Sequence, residues 1–418
     1  MMWRAVRLED CVSLASGGTP SKANAQLWQG NIPWVSCKDM KSLRLHDTED
    51  HVSQEAIGNG TRLVPGGTIL IVVRGMILAK DFPVAEAQRP LTFNQDLKAV
   101  TVLPGVESRF LLYWFLAHRD LLMSACDEAA HGTKRLQTDR LLGMPVLLPE
   151  VATQRRVASL LSAYDDLIEN NTRRIAILEE MARRIYEEWF VRFRFPGHEN
   201  VRMVESELGL VPEGWAIEVV EDVTETLGGG TPSKTEPDFW TDGTINWYSP
   251  TDLTGAKTVF MEESGTKITE LGLAKSSAKL FPPNSVMMTS RATLGVIAVN
   301  TTAACTNQGF IVCIPSVRMP RWLLFHWLKA NASVFEGLAT GATFKEITKG
   351  VFRKVKLTVP PSAIAAAFET LVGPMMDLVL RLERKNRNLR TTRDLLLPKL
   401  ISGELDVSAL PEPETVAA

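Results

Sequence analysis

The hexapeptide GGTPSK stands at Gly17–Lys22 and again at Gly229–Lys234. Each copy gathers two glycines, two hydroxyls and a lysine, a composition suited to holding an anion. The phosphate-cradling loop of nucleotide-binding enzymes has the spacing G-x-x-x-x-G-K-[ST], which neither copy shows. The proline also removes a backbone donor that such a loop needs. No G-x-G-x-x-G follows a strand pattern, and neither H-E-x-x-H nor the N-P-P-aromatic string of amino-methylating DNA methyltransferases is present. His46, His51, His118, His131, His198 and His326 have no metal-ligand spacing. His198, in FPGHE, reads as a surface-turn residue. Asp39 and Asp252 hold equivalent places, but neither has a partner carboxylate in its motif for acid–base work, so turn bonding is the expected role. The sequence therefore offers no catalytic set and no metal site.

A duplication must position these residues. Trp28 and Trp240 follow the two hexapeptides at the same spacing. IPWVSCKD (32–39) matches INWYSPTD (245–252), and VPGGTILIVVRG (64–75) matches FPPNSVMMTSRA (281–292). Asn94–Gln95 matches Asn307–Gln308, LLYWFLA (111–117) matches LLFHWLKA (323–330), and GTKRL (132–136) matches GATFKEI (341–347). The order is the same throughout, while the segments between differ. One fold used twice, on two targets, gives that pattern. Apolar runs predict strands at Ile69–Val73, Leu97–Leu103, Met144–Leu148, Val286–Met288, Gly295–Val299 and Gly309–Pro315. Returns at three and four predict helices at Phe110–Arg119 and Trp322–Lys329.

A long helical pattern follows each copy. In the first, Leu161, Tyr164, Ile168, Asn171, Ile175, Leu178, Ala182, Ile185 and Trp189 recur at alternating steps of three and four. In the second, Phe368, Leu371, Met375, Leu378, Leu382, Lys385, Leu389, Thr392 and Leu396 do the same. These are heptad seams, with Asn171 and Lys385 as matching polar positions. The helices are expected to pair antiparallel as a coiled coil, each of about 35–40 residues or roughly 50–60 Å. Pro196–Gly197 ends the first region, and Pro398 is expected just beyond the second seam. Tyr186, Trp189, Phe190, Phe193 and Phe195 must meet either the next globular unit or a partner. The fold class is α/β (α+β), with two duplicated mixed domains separated by two long helices. The expected limits are a first domain at 1–150, a helical spacer at 151–195, a second domain at 196–361, a second spacer at 362–402 and a flexible tail at 403–418.

Composition bounds the rest. The 418 residues suggest two to three domains, and 45% hydrophobic with 22% charged residues is an ordinary globular balance. The net charge of −2 excludes a polybasic tail protein but not a local nucleic-acid surface. Five cysteines with no CxxC argue for a reducing compartment. The N-terminal residues do not read as a signal peptide and no run of 18 apolar residues is expected, so no membrane contact is foreseen and the cytoplasm is the expected location.

The doubled GGTPS, the IPWVSCKD and INWYSPTD strings, EVATQRRVASLLSAYDDLIENNTRRIAILEEMARRIYEEWFVRFRFPGHE and the C-terminal ERKNRNLRTTRDLLLPKLISGEL carry a resemblance. With them the chain resembles the specificity subunit of type I restriction–modification enzymes over essentially its whole length. The resemblance implies that each copy is a target recognition domain reading half of a bipartite, asymmetric sequence in double-stranded DNA. It implies that the long helices space the domains and dock methyltransferase subunits, two of them, with a restriction/translocation subunit completing the complex. The subunit would do no chemistry and bind no cofactor itself. S-adenosylmethionine, ATP and Mg²⁺ would belong to its partners. Where the first helix opens with ATQRR, the second opens with SAIAAAFET, a departure in the docking surface.

On that reading, elements common to both copies are candidates for phosphate or groove-edge contacts. They are Thr19, Ser21 and Lys22 with Thr231, Ser233 and Lys234, then Lys38 and Lys41, and Arg74 with Arg291. Copy-specific candidates are Arg44, Arg62, Lys134 and Arg135, and Lys257, Lys275, Lys279 and Lys345. Arg74 and Arg291 have the alternative of bridging a strand end to an acid. Arg155, Arg156, Tyr186, Trp189 and Phe190 are the candidate partner contacts. Trp28, Trp34, Trp240 and Trp247 are expected to anchor core or loop rather than stack on bases. Two rivals remain at this point: a coiled-coil scaffold that ignores DNA, and a stand-alone nuclease or methyltransferase.

Overall fold

The computed structural model describes residues 3–128, 132–341 and 345–411. The chain divides into two compact units, Met1–Glu169 with Arg387–Ala418, and Asn170–Asn386.

The first unit is built on a five-stranded sheet in the order Val12–Ser16, Leu97–Val102, Ile69–Val72, Val84–Ala87, Arg44–Leu45. Neighbours are antiparallel except the last pair, which is parallel. The central ILIV strand is buried along its whole length, as a continuous apolar run requires. Helix Ser108–Ala117 buries Phe110 through Phe115 in the same core. A smaller sheet runs His51–Val52, Ile32–Val35, Leu91–Phe93, Arg62–Val64. Arg4–Arg7 pairs with Pro145–Leu148, which leads into the first long helix.

The second unit repeats this plan. Its sheet runs Glu225–Gly228, Phe310–Ile314, Val286–Thr289, Ile297–Asn300, Phe260–Met261, again with only the last pair parallel. Ile245–Tyr248 lies parallel to Ala304–Thr306 just as Ile32–Val35 lies parallel to Leu91–Phe93, with Trp247 opposite Cys305 and Trp34 opposite Thr92. The duplication thus extends to strand register. Helix Arg321–Ala330 buries Trp322 through Leu328.

The first long helix, Val151–Tyr186, has 36 residues and continues into a π-turn at Glu187–Val191; the second, Ser362–Ile401, has 40. At 1.5 Å per residue they are about 54 and 60 Å long. Within the first unit Val157 and Leu161 share a core with Leu397, Leu400 and Ile401. Within the second, Asn171 meets Asn386 and Tyr186 meets Phe368, so the helices run antiparallel.

Along the first seam Leu161, Ile168, Asn171 and Ala182 are buried and Tyr164, Ile175, Leu178 and Ile185 half-buried. The second is displaced by one residue over much of its length. Leu371, Lys385 and Thr392 are exposed, while Val372, Met376, Val379, Asn386 and Leu397 are buried. Phe368 and Leu382 are buried and Met375, Leu378 and Leu389 half-buried. Two apolar stripes adjoin on this helix (Leu371 beside Val372, Met375 beside Met376), so spacing alone does not choose between them. The polar position decides. A buried Lys385 would lose its hydration without a partner, whereas the Asn386 carboxamide oxygen accepts from Asn171 Nδ2 at 2.9 Å. Such a buried amide pair fixes register.

The second helix runs through Pro374 and Pro398 to Ile401, and its Leu397, Leu400 and Ile401 belong to the first unit's core. An 18-residue window of that helix has a mean hydropathy of 1.6, enough to cross a membrane by composition, although Ala365, Phe368, Val372, Met376 and Val379 belong to the second unit's core. The flexible tail does not begin at 403, since Val407 is buried in the first unit; residues 412–418 lie outside the described residues.

Gln154, in ATQRR, is buried. Its amide nitrogen donates to the carbonyls of Gly105 (3.1 Å) and Pro149 (2.8 Å), and its oxygen accepts from the Glu107 N–H at 2.7 Å. It locks the helix start to the connection between strand Leu97–Val102 and helix Ser108–Ala117. Counted from Pro149 and Pro360, the second helix has the buried Ala365 there, so the departure between ATQRR and SAIAAAFET begins as a difference in packing.

His326 is buried at 4% exposure, stacked 5.7 Å from Tyr186, and among the described residues its Nε2 has no hydrogen-bond partner. Burial first, then the charges of Lys329 and Arg183, push its pKa from 6.5 down to about 3. The folded state keeps it neutral where the unfolded chain protonates it. Stability is therefore whole above pH 6.5 and is lost as pH falls below that value toward about 3. Between pH 6.5 and 5 the expected loss is about 2 kcal/mol. Urea unfolding at pH 7.5 and 5 should show this loss in the parent and not in His326→Phe. An equal loss in both would show that His326 is not its source.

Candidate nucleic-acid interface

The GGTPSK loops are held by matching hooks in both copies. In the first, Trp34 Nε1 donates to the Gly18 carbonyl (3.0 Å), Trp28 Nε1 to the Ser21 carbonyl (3.3 Å), and Thr19 Oγ1 to Gln95 Oε1 (2.6 Å). In the second, Trp247 donates to Gly230 (2.9 Å), Trp240 to Ser233 (2.9 Å), and Thr231 to Gln308 (2.7 Å). The tryptophans meet edge to face in both copies, at 5.0 and 5.2 Å. All four are loop anchors, as their sequence setting predicts.

The glycines are there for close approach rather than phosphate binding. A Cβ on Gly17 would stand 2.2 Å from the Phe93 carbonyl oxygen, and one on Gly229 1.9 Å from that of Asn307. The Thr19 and Thr231 hydroxyls are committed to Gln95 and Gln308, which are themselves exposed. Ser21, Lys22, Ser233 and Lys234 are left exposed on the loops. In the first copy an open groove of about 450 Å³ runs past Gly17, Gly18, Gly58, Gly60 and Arg62.

Asp39 and Asp252 are turn residues. Asp39 accepts from the Ser36 N–H (2.9 Å) and hydroxyl (2.8 Å), Asp252 from the Ser249 N–H (2.7 Å) and hydroxyl (2.5 Å).

The cationic candidates separate by partner. Arg44 is not a free reader. Its side chain is 16% exposed and pairs with Glu169 at 2.7 Å and with Asp166, tying a sheet edge to the first long helix. Lys38 is held by Glu49 (3.0 Å) and Asp50 (2.9 Å), which compete with any phosphate. Arg291 takes its alternative role and lies 3.7 Å from Glu346. Among the described residues no ion pair forms at Lys22, Lys41, Arg62, Arg74, Lys134 or Arg135 in the first copy. The same is true of Lys234, Lys257, Lys275, Lys279 and Lys345 in the second. Of these eleven all are exposed except the half-buried Lys134.

The expected partner surface is corrected. Tyr186 and Phe190 are buried, and Trp189 packs 5.9 Å from Phe368, so these aromatics close the second unit's own core. Arg155 is exposed, 3.8 Å from Glu107, and Arg156 is half-buried. Gln95 and Gln308 were not among the predicted site residues. Their signal was present as the repeated Asn-Gln pair at nearly the hexapeptide offset. No group of three or more His, Cys, Asp or Glu suited to a metal occurs among the described residues.

Comparison with known proteins agrees with this architecture. A family profile described as "Type I restriction modification DNA specificity domain" matches residues 2–180 and 212–373. The chain is similar to the type I restriction enzyme MjaIX specificity subunit of Methanocaldococcus jannaschii, 25% identical over 421 residues, 98% of this chain and 94% of that protein. It is similar to the EcoR124I/EcoR124II specificity subunit of Escherichia coli, 30% identical over 188 residues, 44% of this chain and 46% of the relative. In fold it is similar to the crystal structure of the type-I restriction-modification S subunit from M. genitalium, with a TM-score of 0.63, 12% identity and 96% coverage of both chains.

Proposed function

The chain belongs to the type I restriction-modification DNA specificity family, and from that membership we propose how its two modules work. It is the non-catalytic DNA-recognition subunit, and it positions the enzymatic subunits of its system. Each module reads one half of a bipartite, asymmetric duplex target. The observation that carries this reading is the loop clamp, repeated hook for hook, with different free cations around each copy. The shared clamp holds the loop, Lys22, Lys234 and Arg74 contact the backbone, and Arg62 and Lys134, or Lys257, Lys275, Lys279 and Lys345, meet the groove.

Two methyltransferase subunits and a restriction/translocation subunit are the proposed partners, and they carry S-adenosylmethionine, ATP and Mg²⁺. Their docking surface includes the exposed Ile177 and Met181, which line a groove of about 360 Å³ with Ala176 and Arg184. The exposed Leu395 of the second long helix is a further contact. The proposed compartment is the cytoplasm; five free thiols fit a reducing environment.

Residues 1–150 carry 16 basic and 16 acidic side chains, and residues 211–361 carry 14 of each, so neither module attracts DNA in bulk. The purified chain is expected to bind duplex DNA at least about tenfold more weakly than its complex with the methyltransferase, since only local cations are available to release counterions. Fluorescence anisotropy with and without the methyltransferase tests this, and equal affinity would contradict it.

A further inference from the structure

The two modules part company at one matched position. In the first, strand Arg74–Gly75 pairs with Lys134–Arg135, and Arg135 lies directly opposite Arg74. In the second, Arg291 forms the equivalent antiparallel bridge, and its partner is Glu346. The equivalence is fixed by hydrogen bonds. The Leu136 N–H donates to the Val73 carbonyl at 2.9 Å, and the Ile347 N–H to the Ser290 carbonyl at 3.0 Å. Arg74 follows and Arg135 precedes its anchor, as Arg291 follows and Glu346 precedes theirs. The residue after each arginine has a left-handed backbone, with φ of 151° at Gly75 and 62° at Ala292. For Ala292 that conformation is strained, which marks a position held for more than chain economy.

Directly opposed residues of an antiparallel pair share a face at about 5 Å, and like charges there repel. In the second module the charges compensate, with Arg291 Nε 3.7 Å from Glu346. In the first, two guanidinium groups share the site. Among the described residues no carboxylate pairs with either, and Arg74 and Arg135 are both exposed. Asp127 stands directly opposite Arg135 on its other side, but its carboxylate is bound by Arg140 at 2.7 Å and forms no ion pair with Arg135. An arginine pair with no ion-pair partner, in a module that reads DNA, suits a group with several acceptor oxygens and a negative charge.

We infer that a backbone phosphate of the bound duplex sits between Arg74 and Arg135, and that in the second module Glu346 occupies the phosphate's place on Arg291. The two half-sites are then held with unequal electrostatic weight, and Arg135 and Glu346 are the positioning residues that set the imbalance. This rests on the DNA-reading function proposed above.

The test is a salt titration by fluorescence anisotropy, using the chain in complex with its methyltransferase subunits. The probes are a duplex carrying the methylated site of the host genome and a scrambled duplex. Each phosphate contact contributes about 0.9 to the slope of log affinity against log salt, or about 3.5-fold between 50 and 200 mM. Arg135→Ala is expected to lower the slope by about that amount, and Arg135→Lys to retain it. Glu346→Arg is expected to steepen the slope and tighten binding, a gain that loss of folding cannot imitate. If Arg135→Ala and Glu346→Arg both keep the parent slope while the target is still preferred over the scrambled duplex, the inference falls and the proposed function stands. If the parent shows no such preference, the proposed function fails and takes the inference with it.

Discussion

Gly229→Ala is expected to disable the second module while leaving the first intact. The added Cβ would stand 1.9 Å from the Asn307 carbonyl oxygen and 2.4 Å from both the carbonyl and hydroxyl oxygens of Thr306. Two of these are backbone atoms of the segment that anchors the loop, so no rotamer change relieves the clash. The loop must shift, which breaks the hooks from Trp247 to Gly230 and from Thr231 to Gln308. The cost is about 3 kcal/mol, the upper end for overpacking a well-filled site. Affinity for the target should fall by at least about tenfold, since even one lost base contact costs about 1–3 kcal/mol. Gly255→Ala is the control. It lies in helix Pro250–Ala256 of the same module, nothing lies within 4 Å of its added Cβ, and it should leave stability unchanged or slightly raised. Thermal unfolding and anisotropy of both variants check this; equal behaviour would show that the clamp does not hold the loop.

Asp165→Ala is expected to destabilise the first unit by about 3–5 kcal/mol, the range for stripping one partner from a buried ion pair. The Asp165 side chain is 8% exposed; it accepts from Tyr113 Oη at 2.6 Å and from Arg393 Nη1 at 2.5 Å. One carboxylate thus joins the globular module, the first long helix and the second. Its removal leaves a mostly buried guanidinium without this acceptor and the buried phenol with only the longer contact to Ser162, and Asp394, itself 60% exposed, compensates the arginine only in part. Tyr113→Phe removes the short bond to Asp165 and the longer contact with Ser162 at 3.4 Å, and should cost about 1 kcal/mol. Asp165→Leu combined with Arg393→Leu should recover much of the loss, because an apolar pair needs no desolvation. Urea unfolding of the four proteins separates these outcomes. A loss for Asp165→Ala no greater than for Tyr113→Phe would mean that Arg393 is not held by this carboxylate.

Much of the architecture can be read from residue order because the chain states it twice. The apolar runs at Ile69–Val72 and Phe310–Ile314 are strands because both faces of each are covered. The tryptophans beside GGTPSK are anchors because a buried indole N–H needs an acceptor, and the loop carbonyls supply it. What sequence could not give is partnership across long separations. Arg44 looks like any cation of a surface strand until Asp166 and Glu169, over 120 residues away, neutralise it. Lys38 meets Glu49 and Asp50 only because the strands fold back. The second seam is ambiguous by one residue because two apolar stripes adjoin, and only the pairing of Asn171 with Asn386 resolves it. The aromatic end of the first long helix reads as a docking surface until Trp215, His326 and Phe368 close over it.

Mapping methylated bases across the host genome, with the parent chain and then with residues 220–359 replaced by those of a relative, is the decisive measurement. Two short specified strings separated by an unspecified gap are expected in the parent, and the exchange should rewrite one string while leaving the other and the gap as they were. A single uninterrupted motif, or an exchange that alters both strings together, would mean that the two copies do not each read half of the target.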